Sequence, residues 1–542
     1  MPARPLARVL VLELLASGAR EGWFERRVRR PSFFGIMAQS VATWCEDLGC
    51  EVEYRTYTGQ EQVVELLAGR WDVAFVSAYT GAAYAAYAIS SALRNLGTVT
   101  ALGGPHARAY PGDACRFFDY VLGLTDRDTI AHVLDERRPA GAGCGQSLSA
   151  PRHPATLPSL RRRHRFLEAA IRKGRFLRPV PLLASLGCPY SCSFCSDALV
   201  GWQPVPAEAI EEDLRFARER LPGAFLFWQD PTFGVRFDGV MQIIERVWEG
   251  KPGRFGAETT LALLTPGNLD RLRRAGFVVL LPGIESWFAD GSKLAVGRKR
   301  GRERMEETAA RIGEILDAVP YVQVNLIFGL DDEPDEEALA LTTEFMRRVP
   351  GAWPAINLAT AWGVASPMSE RLHAEGRVLP IPLPLLDQKS CSNVRRLGRP
   401  AEDLYRVLED LAAQAFGATA AWRRIRAARG WGPRLVNLAR ARGSDARQRL
   451  QWYGQMARWL RSDRSFRAFF EGEPVAVPEA LRARALARTA AFADLLPPLL
   501  AEELLRGTPR PLERTLGRAG SLATLPFIHG SDHGPSAAAT SL

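Results

Sequence analysis

Three of the eight cysteines fall close together, at Cys188, Cys192 and Cys195, while the other five are scattered along the chain. The spacing C-x3-C-x2-C puts three thiols on one tight loop, and three thiolates can ligate three irons of a 4Fe–4S cluster. The fourth iron then has no protein ligand, so a small molecule can bind it and accept an electron or a Lewis-acid interaction. The spacing therefore predicts chemistry at an iron–sulfur cluster.

Two other interpretations of this loop stay open at this point. A structural zinc site takes four ligands, normally in C-x2-C pairs, and no second Cys or His pair of suitable spacing follows soon. Free cysteines are also common in protein cores. Three of them on a loop that contains Pro189, Ser191 and Ser193 are not typical of a core segment. We therefore favour the cluster.

The elements around the loop alternate between strand and helix. Apolar runs predict strands at 181–186, 224–228, 255–259, 278–282, 322–328 and 355–360. Helical spacing lies between them at 207–221, 236–249, 266–275, 301–318 and 334–348. Six such units predict a partial (β/α)6 barrel of the TIM type, with its active site at the carboxyl ends of the strands. The cysteine loop directly follows the first of these strands.

The loop and its barrel together resemble the radical S-adenosylmethionine enzymes. The resemblance covers residues 175–390 and rests on the three cysteines and on the aromatic Phe194 before the last one. It implies that Cys188, Cys192 and Cys195 ligate the cluster and that the backbone beside Phe194 packs near the adenine. In that family the open iron chelates S-adenosylmethionine. An electron from the cluster then cleaves the sulfonium, giving methionine and a 5′-deoxyadenosyl radical that abstracts hydrogen.

Polar residues end other predicted barrel strands, where this family binds S-adenosylmethionine. Asp230 can accept charge-assisted hydrogen bonds from the substrate ammonium, and Glu258 ends the third strand. Glu285 and Ser286 end the fourth strand in a segment similar to the one that contacts the ribose in the family. For Asp230, and for Glu285 and Ser286, capping of the following turn or helix is the alternative role.

The segment that starts at Asn325 resembles the G-x-I-x-G-x-x-E sequence that lies by the adenine in the family. This chain departs from that pattern at two positions, because Asn325 replaces the first glycine and Asp332 the glutamate. Backbone contacts to the adenine tolerate such changes. The side-chain role of the acidic residue is the part that the departure affects.

A second alternation of strands and helices precedes the barrel. Apolar runs predict strands at 7–14, 51–57, 73–78, 98–102 and 120–122. Helices are predicted at 34–48, 60–68, 84–96 and 126–135. This order predicts an α/β fold with an open, doubly wound (Rossmann-like) sheet, which binds ligands beyond the carboxyl ends of its strands.

The residues at those strand ends resemble a cobalamin-binding domain found in one branch of the radical S-adenosylmethionine enzymes. Ser77 and Tyr79 match its S-x-L segment, and Gly103 and Gly104 match its second glycine motif. Many such domains carry D-x-H-x-x-G, whose histidine ligates cobalt, but the segment Leu12–Gly18 contains no histidine here. The resemblance implies cobalamin binding without a histidine from this motif. A scaffold domain without cobalamin is the alternative.

Composition limits the remaining classes. The 542 residues carry a net charge of +10, with 65 Arg and five Lys, and residues 401–520 hold 21 Arg against 13 Asp and Glu. This excess predicts a solvated helical face, and nucleic-acid binding is the less favoured alternative. No apolar run of about 18 residues indicates a membrane span, and Glu13 interrupts the apolar N-terminal segment that could mimic a signal peptide. We therefore expect a cytoplasmic protein.

These patterns predict five segments. They are a cobalamin-binding-like domain at 1–140, a linker at 141–174, the radical S-adenosylmethionine barrel at 175–390, a helical region at 391–520 and a flexible tail at 521–542. The resemblance implies methyl transfer to an unactivated carbon or to phosphorus of a small-molecule or peptide substrate, with a flavodoxin- or ferredoxin-like electron donor. The alternatives are a radical enzyme that performs cyclisation or rearrangement without methylation, and a non-catalytic iron–sulfur or nucleic-acid-binding protein.

Overall fold

The computed structural model describes residues 7–18, 34–141, 144–171, 179–288, 299–442, 444–510 and 523–524. Two parallel sheets and a group of helices at the C-terminal end make up this part of the chain. The predicted α/β class is therefore confirmed. None of the helices in the described ranges has both the length and the apolar character needed to cross a bilayer.

The central strands of the first sheet are short, apolar and almost fully buried, as parallel strands covered by helices require. Its strands are β1 (Arg8–Leu14), β2 (Glu51–Tyr57), β3 (Val73–Ala78), β4 (Val99–Gly103), β5 (Tyr120–Leu122) and β6 (Gln146–Ser149). The helices are α1 (Ile36–Asp47), α2 (Val63–Leu67), α3 (Ala83–Asn95), α4 (Pro105–Ala109), α5 (Pro111–Ala114), α6 (Arg127–Glu136) and α7 (Leu160–Ile171).

All strands of this sheet run parallel in the order β2-β1-β3-β4-β5-β6. The chain goes from β1 to one neighbour, β2, and then crosses to the other neighbour, β3. Helices therefore leave the carboxyl ends of β1 and β3 in opposite directions and open a crevice there, which is the usual ligand site of doubly wound sheets. The predicted Rossmann-like sheet is confirmed.

Six parallel strands in sequential order form the second sheet, a partial (β/α)6 barrel as predicted. They are β7 (Pro179–Leu182), β10 (Phe225–Trp228), β11 (Phe255–Thr260), β12 (Phe277–Glu285), β13 (Tyr321–Phe328) and β14 (Trp353–Leu358), and the short strands β8 (Ser185–Leu186) and β9 (Gln203–Pro204) lie between β7 and β10. The helices are α8 (Ala207–Arg220), α9 (Phe237–Trp248), α10 (Pro266–Ala275), α11 (Gly301–Ala318), α12 (Asp335–Arg348) and α13 (Pro367–Ala374).

The predicted strand at 181–186 is in fact two strands. β7 ends at Leu182, and β8 turns away to pair antiparallel with β9. The break occurs where the Ala184 amide donates to the Asp230 carboxylate instead of to a neighbouring strand. The β8–β9 ribbon closes the base of the loop that carries the three cysteines.

Helices dominate the chain after β14. They are α14 (Ala401–Phe416), α15 (Ala418–Ala427), α16 (Trp431–Arg442), α17 (Ser444–Ser462), α18 (Arg464–Phe470), α19 (Glu479–Arg488) and α20 (Pro498–Arg506). α14 packs between α12 of the barrel and α17, and the 3-10 segment Ala490–Leu495 packs on α3 of the first sheet. The helical region therefore contacts both sheets.

The segment predicted as a linker, 141–174, contains regular structure in its described part. β6 pairs with β5 and extends the first sheet, and α7 packs on α1 and α8. The buried Arg163 of α7 donates to Gln39 at 3.1 Å and to Asp213 at 3.3 Å, so it ties the two sheets together. The predicted tail at 521–542 lies outside the described residues except for β15 (Ala523–Thr524), which pairs with β6.

Candidate functional site

The cysteine loop, residues 187–202, is fixed by backbone contacts at its base and at its centre. Gly187 has a φ of +66°, and a Cβ there would lie 2.1 Å from the Gly201 carbonyl oxygen. Only glycine accepts this left-handed conformation so close to a neighbouring backbone. At the centre of the loop the Met368 amide donates to the Ser193 carbonyl at 2.8 Å. The loop is therefore held between the β8–β9 ribbon and the first turn of α13.

The three thiols lie where the loop faces the barrel. Cys188 and Cys192 are buried and Cys195 is partly buried. The Asp197 amide donates to Cys195 Sγ at 3.4 Å, and Cys188 Sγ lies 3.7 Å from Thr232 Oγ1. An amide that donates to sulfur, as that of Asp197 does, stabilises the thiolate, which is the form that ligates metals.

The three thiols form a donor set of one kind on one loop. In the described part of the chain, no three His, Cys, Asp or Glu side chains form a group that could hold one metal ion. A 4Fe–4S cluster distributes its thiolate ligands over several irons. Three cysteines on one loop therefore fit a cluster with one iron left open.

A cavity of about 460 Å³ lies at the mouth of the barrel, and we call it the barrel cavity. Its volume is in the range of small-molecule sites. It brings together six residues that the sequence analysis selected from four separate segments. These are Cys192, Phe194, Cys195, Glu258, Glu285 and Asn325.

Glu285 has an unusual backbone at this cavity. It ends β12 with a φ of +65°, beside an irregularity in the pairing of β12 with β13. Non-glycine residues in this conformation carry strain and cluster at functional sites. The irregular pairing and the positive φ turn the Glu285 side chain into the barrel cavity.

Asp230 and Ser286 do not line the barrel cavity. Asp230 is buried, accepts from the Ala184 amide at 3.0 Å and from Ser185 Oγ at 2.7 Å, and so holds β8 in place. Burial raises the pKa of Asp230 to about 6. Ser286 is buried and donates to Glu333 Oε1 at 3.0 Å. Cofactor contacts by these two residues stay predictions.

Glu333 is a functional candidate that the sequence analysis missed. The acidic residue aligned with the family's glutamate was Asp332, which is exposed, whereas Glu333 is 3% exposed. Burial raises the pKa of Glu333 to about 8, against the opposing hydrogen bonds from Ser286 and the Trp287 backbone. Glu333 directly follows Asp332, the residue that aligns with the glutamate of the family pattern. The sequence therefore did contain a glutamate, but one position later than the pattern places it.

A second cavity, the sheet cavity, lies between the carboxyl edge of the first sheet and the cysteine loop. The four residues predicted for cobalamin all line it: Ser77, Tyr79, Gly103 and Gly104. Gly104 has a φ of +90°, and a Cβ on it would lie 3.0 Å from Ser77 Oγ. A Cβ on Gly103 would have no neighbour within 4 Å. The missing side chain therefore leaves room above the sheet for a flat, bulky ligand.

The histidines near this edge have different surroundings. His106 is fully buried, its Nε2 lies 2.7 Å from Tyr87 Oη, and burial lowers its pKa to about 4. It belongs to the core and does not line the sheet cavity. His153 does line it. At the position of the missing motif, Glu13 is buried and accepts from Tyr54 Oη at 2.6 Å, and burial raises its pKa to about 7.

Asp197 and Pro231 line both cavities, so the two spaces meet at the cysteine loop. The sequence analysis selected neither residue. Asp197 follows Cys195 by two positions, and this proximity was the available signal. Arg440 of α16 also borders the barrel cavity and lies over the Trp353 ring, 4.0 Å from its centroid. No helical pattern indicates that this arginine reaches the barrel.

Curated relatives match parts of the chain. The bacteriochlorophyllide d C-12(1)-methyltransferase of Chlorobaculum tepidum is 25% identical over 193 residues, which are 34% of this chain and 41% of that protein. The hopanoid C-2 methylase of Rhodopseudomonas palustris is 27% identical over 341 residues, 58% of this chain and 59% of that protein. The chain therefore spans about half the length of these relatives.

Solved structures share the fold over most of the chain. The radical S-adenosylmethionine methyltransferase TsrM from Kitasatospora setae, with cobalamin and a [4Fe-4S] cluster bound, has a TM-score of 0.55 at 14% identity and covers 82% of this chain and 99% of its own. The cobalamin-dependent S-adenosylmethionine radical enzyme OxsB has a TM-score of 0.51 at 12% identity, with 94% and 82% covered.

The sequence itself carries the family signature at the barrel. Residues 182–343 match the profile of the radical SAM superfamily. This range includes the cysteine loop and the residues of β11, β12 and β13 that border the barrel cavity. The cysteine loop and most of the partial barrel therefore lie in a stretch of the chain that is similar to the radical SAM superfamily.

Proposed function

We propose that this chain is a cobalamin-dependent radical S-adenosylmethionine methyltransferase acting on an unactivated carbon, or on phosphorus, of a small molecule. The observation that carries the proposal is the meeting of the two cavities at Asp197 and Pro231. A methyl donor in the sheet cavity and a substrate in the barrel cavity would lie on either side of this point. Both curated relatives are named as methylating enzymes, which supports the same reaction.

Each group of residues has a separate task in this proposal. Cys188, Cys192 and Cys195 hold the cluster and leave one iron open. Glu258 and Glu285 extend into the barrel cavity, where their carboxylates can bind the ammonium and hydroxyl groups of S-adenosylmethionine. When bound, the cluster supplies an electron to a sulfonium compound and the corrinoid supplies a transferable methyl group.

The surroundings of the barrel cavity support a small substrate. The cavity is closed on one side by the strands and bordered on the other by Lys389, Phe416 and Arg440 from the segments after β14. We infer that these segments limit the access of water to reactive species, as radical chemistry requires. In TsrM, tryptophan occupies the substrate position. The aromatic Trp353 and Trp362 that border this cavity suit a substrate with an apolar body.

We also place the enzyme in the cytoplasm with a flavodoxin- or ferredoxin-like electron donor. All eight cysteines lie in the described ranges and none of them forms a disulfide there, and reduced thiols are typical of reducing compartments. A cluster that must be reduced during each reaction cycle needs an external donor.

Anaerobic reconstitution with iron, sulfide and hydroxocobalamin tests the proposal. We expect about one corrinoid per chain from the visible spectrum, and 5′-deoxyadenosine from S-adenosylmethionine under reduction. Formation of 5′-deoxyadenosine without corrinoid binding would instead support a radical enzyme that performs cyclisation or rearrangement. Steep, salt-dependent retention on DNA or RNA with no 5′-deoxyadenosine would favour the nucleic-acid alternative.

A further inference from the structure

An ion pair connects the first sheet to the cysteine loop. Arg108 lies in α4, directly after the glycines that end β4, and its Nη2 lies 2.9 Å from Asp197 Oδ1. Both side chains are about one quarter exposed, and both border the sheet cavity. The pair therefore lies at the meeting point of the two cavities.

Asp197 is also in contact with a cluster ligand. Its backbone amide donates to Cys195 Sγ at 3.4 Å, and its carboxylate is carried by the same residue. Reduction potentials of iron–sulfur clusters depend on net charge and on hydrogen bonds to the sulfurs. An uncompensated carboxylate at this position would oppose the addition of an electron.

Arg108 is held in place relative to the barrel. The Val364 amide donates to the Ala109 carbonyl at 3.0 Å, and Tyr110 Oη donates to the Ala361 carbonyl at 3.0 Å. These bonds fix the end of α4 on the segment after β14. His153 also borders the sheet cavity, and burial lowers its pKa, which favours its neutral form. Glu258 and Glu285 are further carboxylates in the lining of the barrel cavity, and Arg108 is the group that pairs with Asp197.

We propose that Arg108 is a positioning residue that cancels the charge of Asp197 beside Cys195, and that the first sheet thereby sets the reduction potential of the cluster. The inference rests on the proposed function, because it requires the cluster. The first sheet would then tune the reduction potential of the cluster in addition to binding a ligand. The redox step concerned is the one-electron reduction of the cluster by an external donor.

Potentiometric titration of the reconstituted holoenzyme, monitored by the electron paramagnetic resonance signal of the reduced cluster, tests this inference. Arg108→Met should make the midpoint potential more negative, because Asp197 is left uncompensated. Asp197→Asn should make it more positive, because Arg108 then adds charge and the amide donor to Cys195 remains. The double variant should return close to the wild-type potential.

Two controls separate charge from structure. Arg108→Lys keeps the charge and should keep the wild-type potential. Arg429→Met and Asp317→Asn break an exposed ion pair elsewhere, at 2.8 Å, and should leave the potential unchanged. Shifts of the same sign in both single variants, or no shift in either, would overturn the inference. If Arg108→Met does not assemble a cluster, the shift of Asp197→Asn alone decides the sign. Absence of the signal in the wild-type protein would contradict the proposed function instead.

Discussion

Gly187 begins the cysteine loop with a backbone conformation that other residues reach only with strain. We expect Gly187→Ala to destabilise the fold by about 1–3 kcal/mol or more, since the positive φ and the 2.1 Å approach to Gly201 act together. The variant should also bind less iron after reconstitution. Urea unfolding and iron analysis measure both effects.

Gly201→Ala is the matched control on the same loop. A Cβ on Gly201 would have no neighbour within 4 Å, so this variant should keep its stability and its iron. If both variants lost stability and iron equally, the loop would be sensitive to any substitution and the argument from the left-handed backbone would fail. Wild-type stability and iron content of Gly187→Ala would show that the left-handed conformation is not required.

Glu333 predicts a pH effect with a defined sign. Its pKa is about 8 in the folded protein, above its ordinary value of 4.5, because burial disfavours the charged form. Between these values the unfolded chain ionises while the folded chain stays protonated, so this residue lowers stability as the pH rises. Glu333→Gln has no such dependence. The stability of the variant relative to wild type should therefore increase between about pH 5 and pH 8.

Urea unfolding of both proteins across this range measures the difference. Glu336→Gln serves as control, because Glu336 is 66% exposed and only forms a surface ion pair with Arg406. A constant difference between wild type and Glu333→Gln at all pH values would contradict the assignment.

At the residue scale, the sequence identifies the site residues that belong to a motif. It does not identify those that only the folded chain brings to the site. The three cysteines follow from their spacing, and Phe194 follows from the family resemblance. Asp197, which contacts Cys195 and borders both cavities, carries no motif of its own. Its position depends on a pairing with Arg108 that is 89 residues away in the chain. Contacts of that kind have no local signature.

At the scale of elements, strands that are buried apolar runs were predictable, whereas β6, β8 and β9 were not recognised as separate strands. β1, β3 and β13 are apolar runs that the sequence indicates within one or two residues. β6, β8 and β9 have four residues or fewer, and they form because the backbone of an adjacent strand pairs with them. Periodicity cannot be read from two residues. The strand ends that line the cavities were therefore located, but the ribbon that closes the cysteine loop was not.

The end of β4 yields a test of the sheet cavity. Gly103→Leu should fit the backbone without strain, because φ is not positive and no atom lies within 4 Å of the added Cβ. Its side chain would instead occupy the space proposed for the corrinoid. We expect corrinoid binding to fall at least tenfold, which corresponds to about 1.4 kcal/mol. Iron content and 5′-deoxyadenosine formation should stay near wild type.

Visible absorbance of the reconstituted protein measures bound corrinoid. Gly239→Leu on α9, where a Cβ also meets open space, is the matched control and should bind corrinoid normally. Wild-type corrinoid binding by Gly103→Leu would show that the corrinoid does not bind at this strand end. Loss in both variants would point to a general effect of leucine on folding.

At the scale of the whole molecule, three parts of the chain converge on one loop. The first sheet reaches it through Arg108, the barrel provides it between β8 and β9, and the segment after β14 holds it at Ser193. The order of the two α/β units was readable from the alternation of strands and helices. Their mutual orientation was not, because it depends on side chains such as Arg163 and Tyr110 that bridge distant segments.

The central claim is that the cysteine loop holds a cluster with one open iron that cleaves S-adenosylmethionine. Iron and 5′-deoxyadenosine should be measured for wild type, Cys192→Ala and Cys391→Ala after anaerobic reconstitution. Cys391 is the control because it is buried beside Tyr405, outside both cavities, and burial raises its pKa to about 12. Wild type and Cys391→Ala should bind about four irons and release 5′-deoxyadenosine, and Cys192→Ala should do neither. Normal cleavage by Cys192→Ala, or a single zinc in the wild-type protein, would contradict the account.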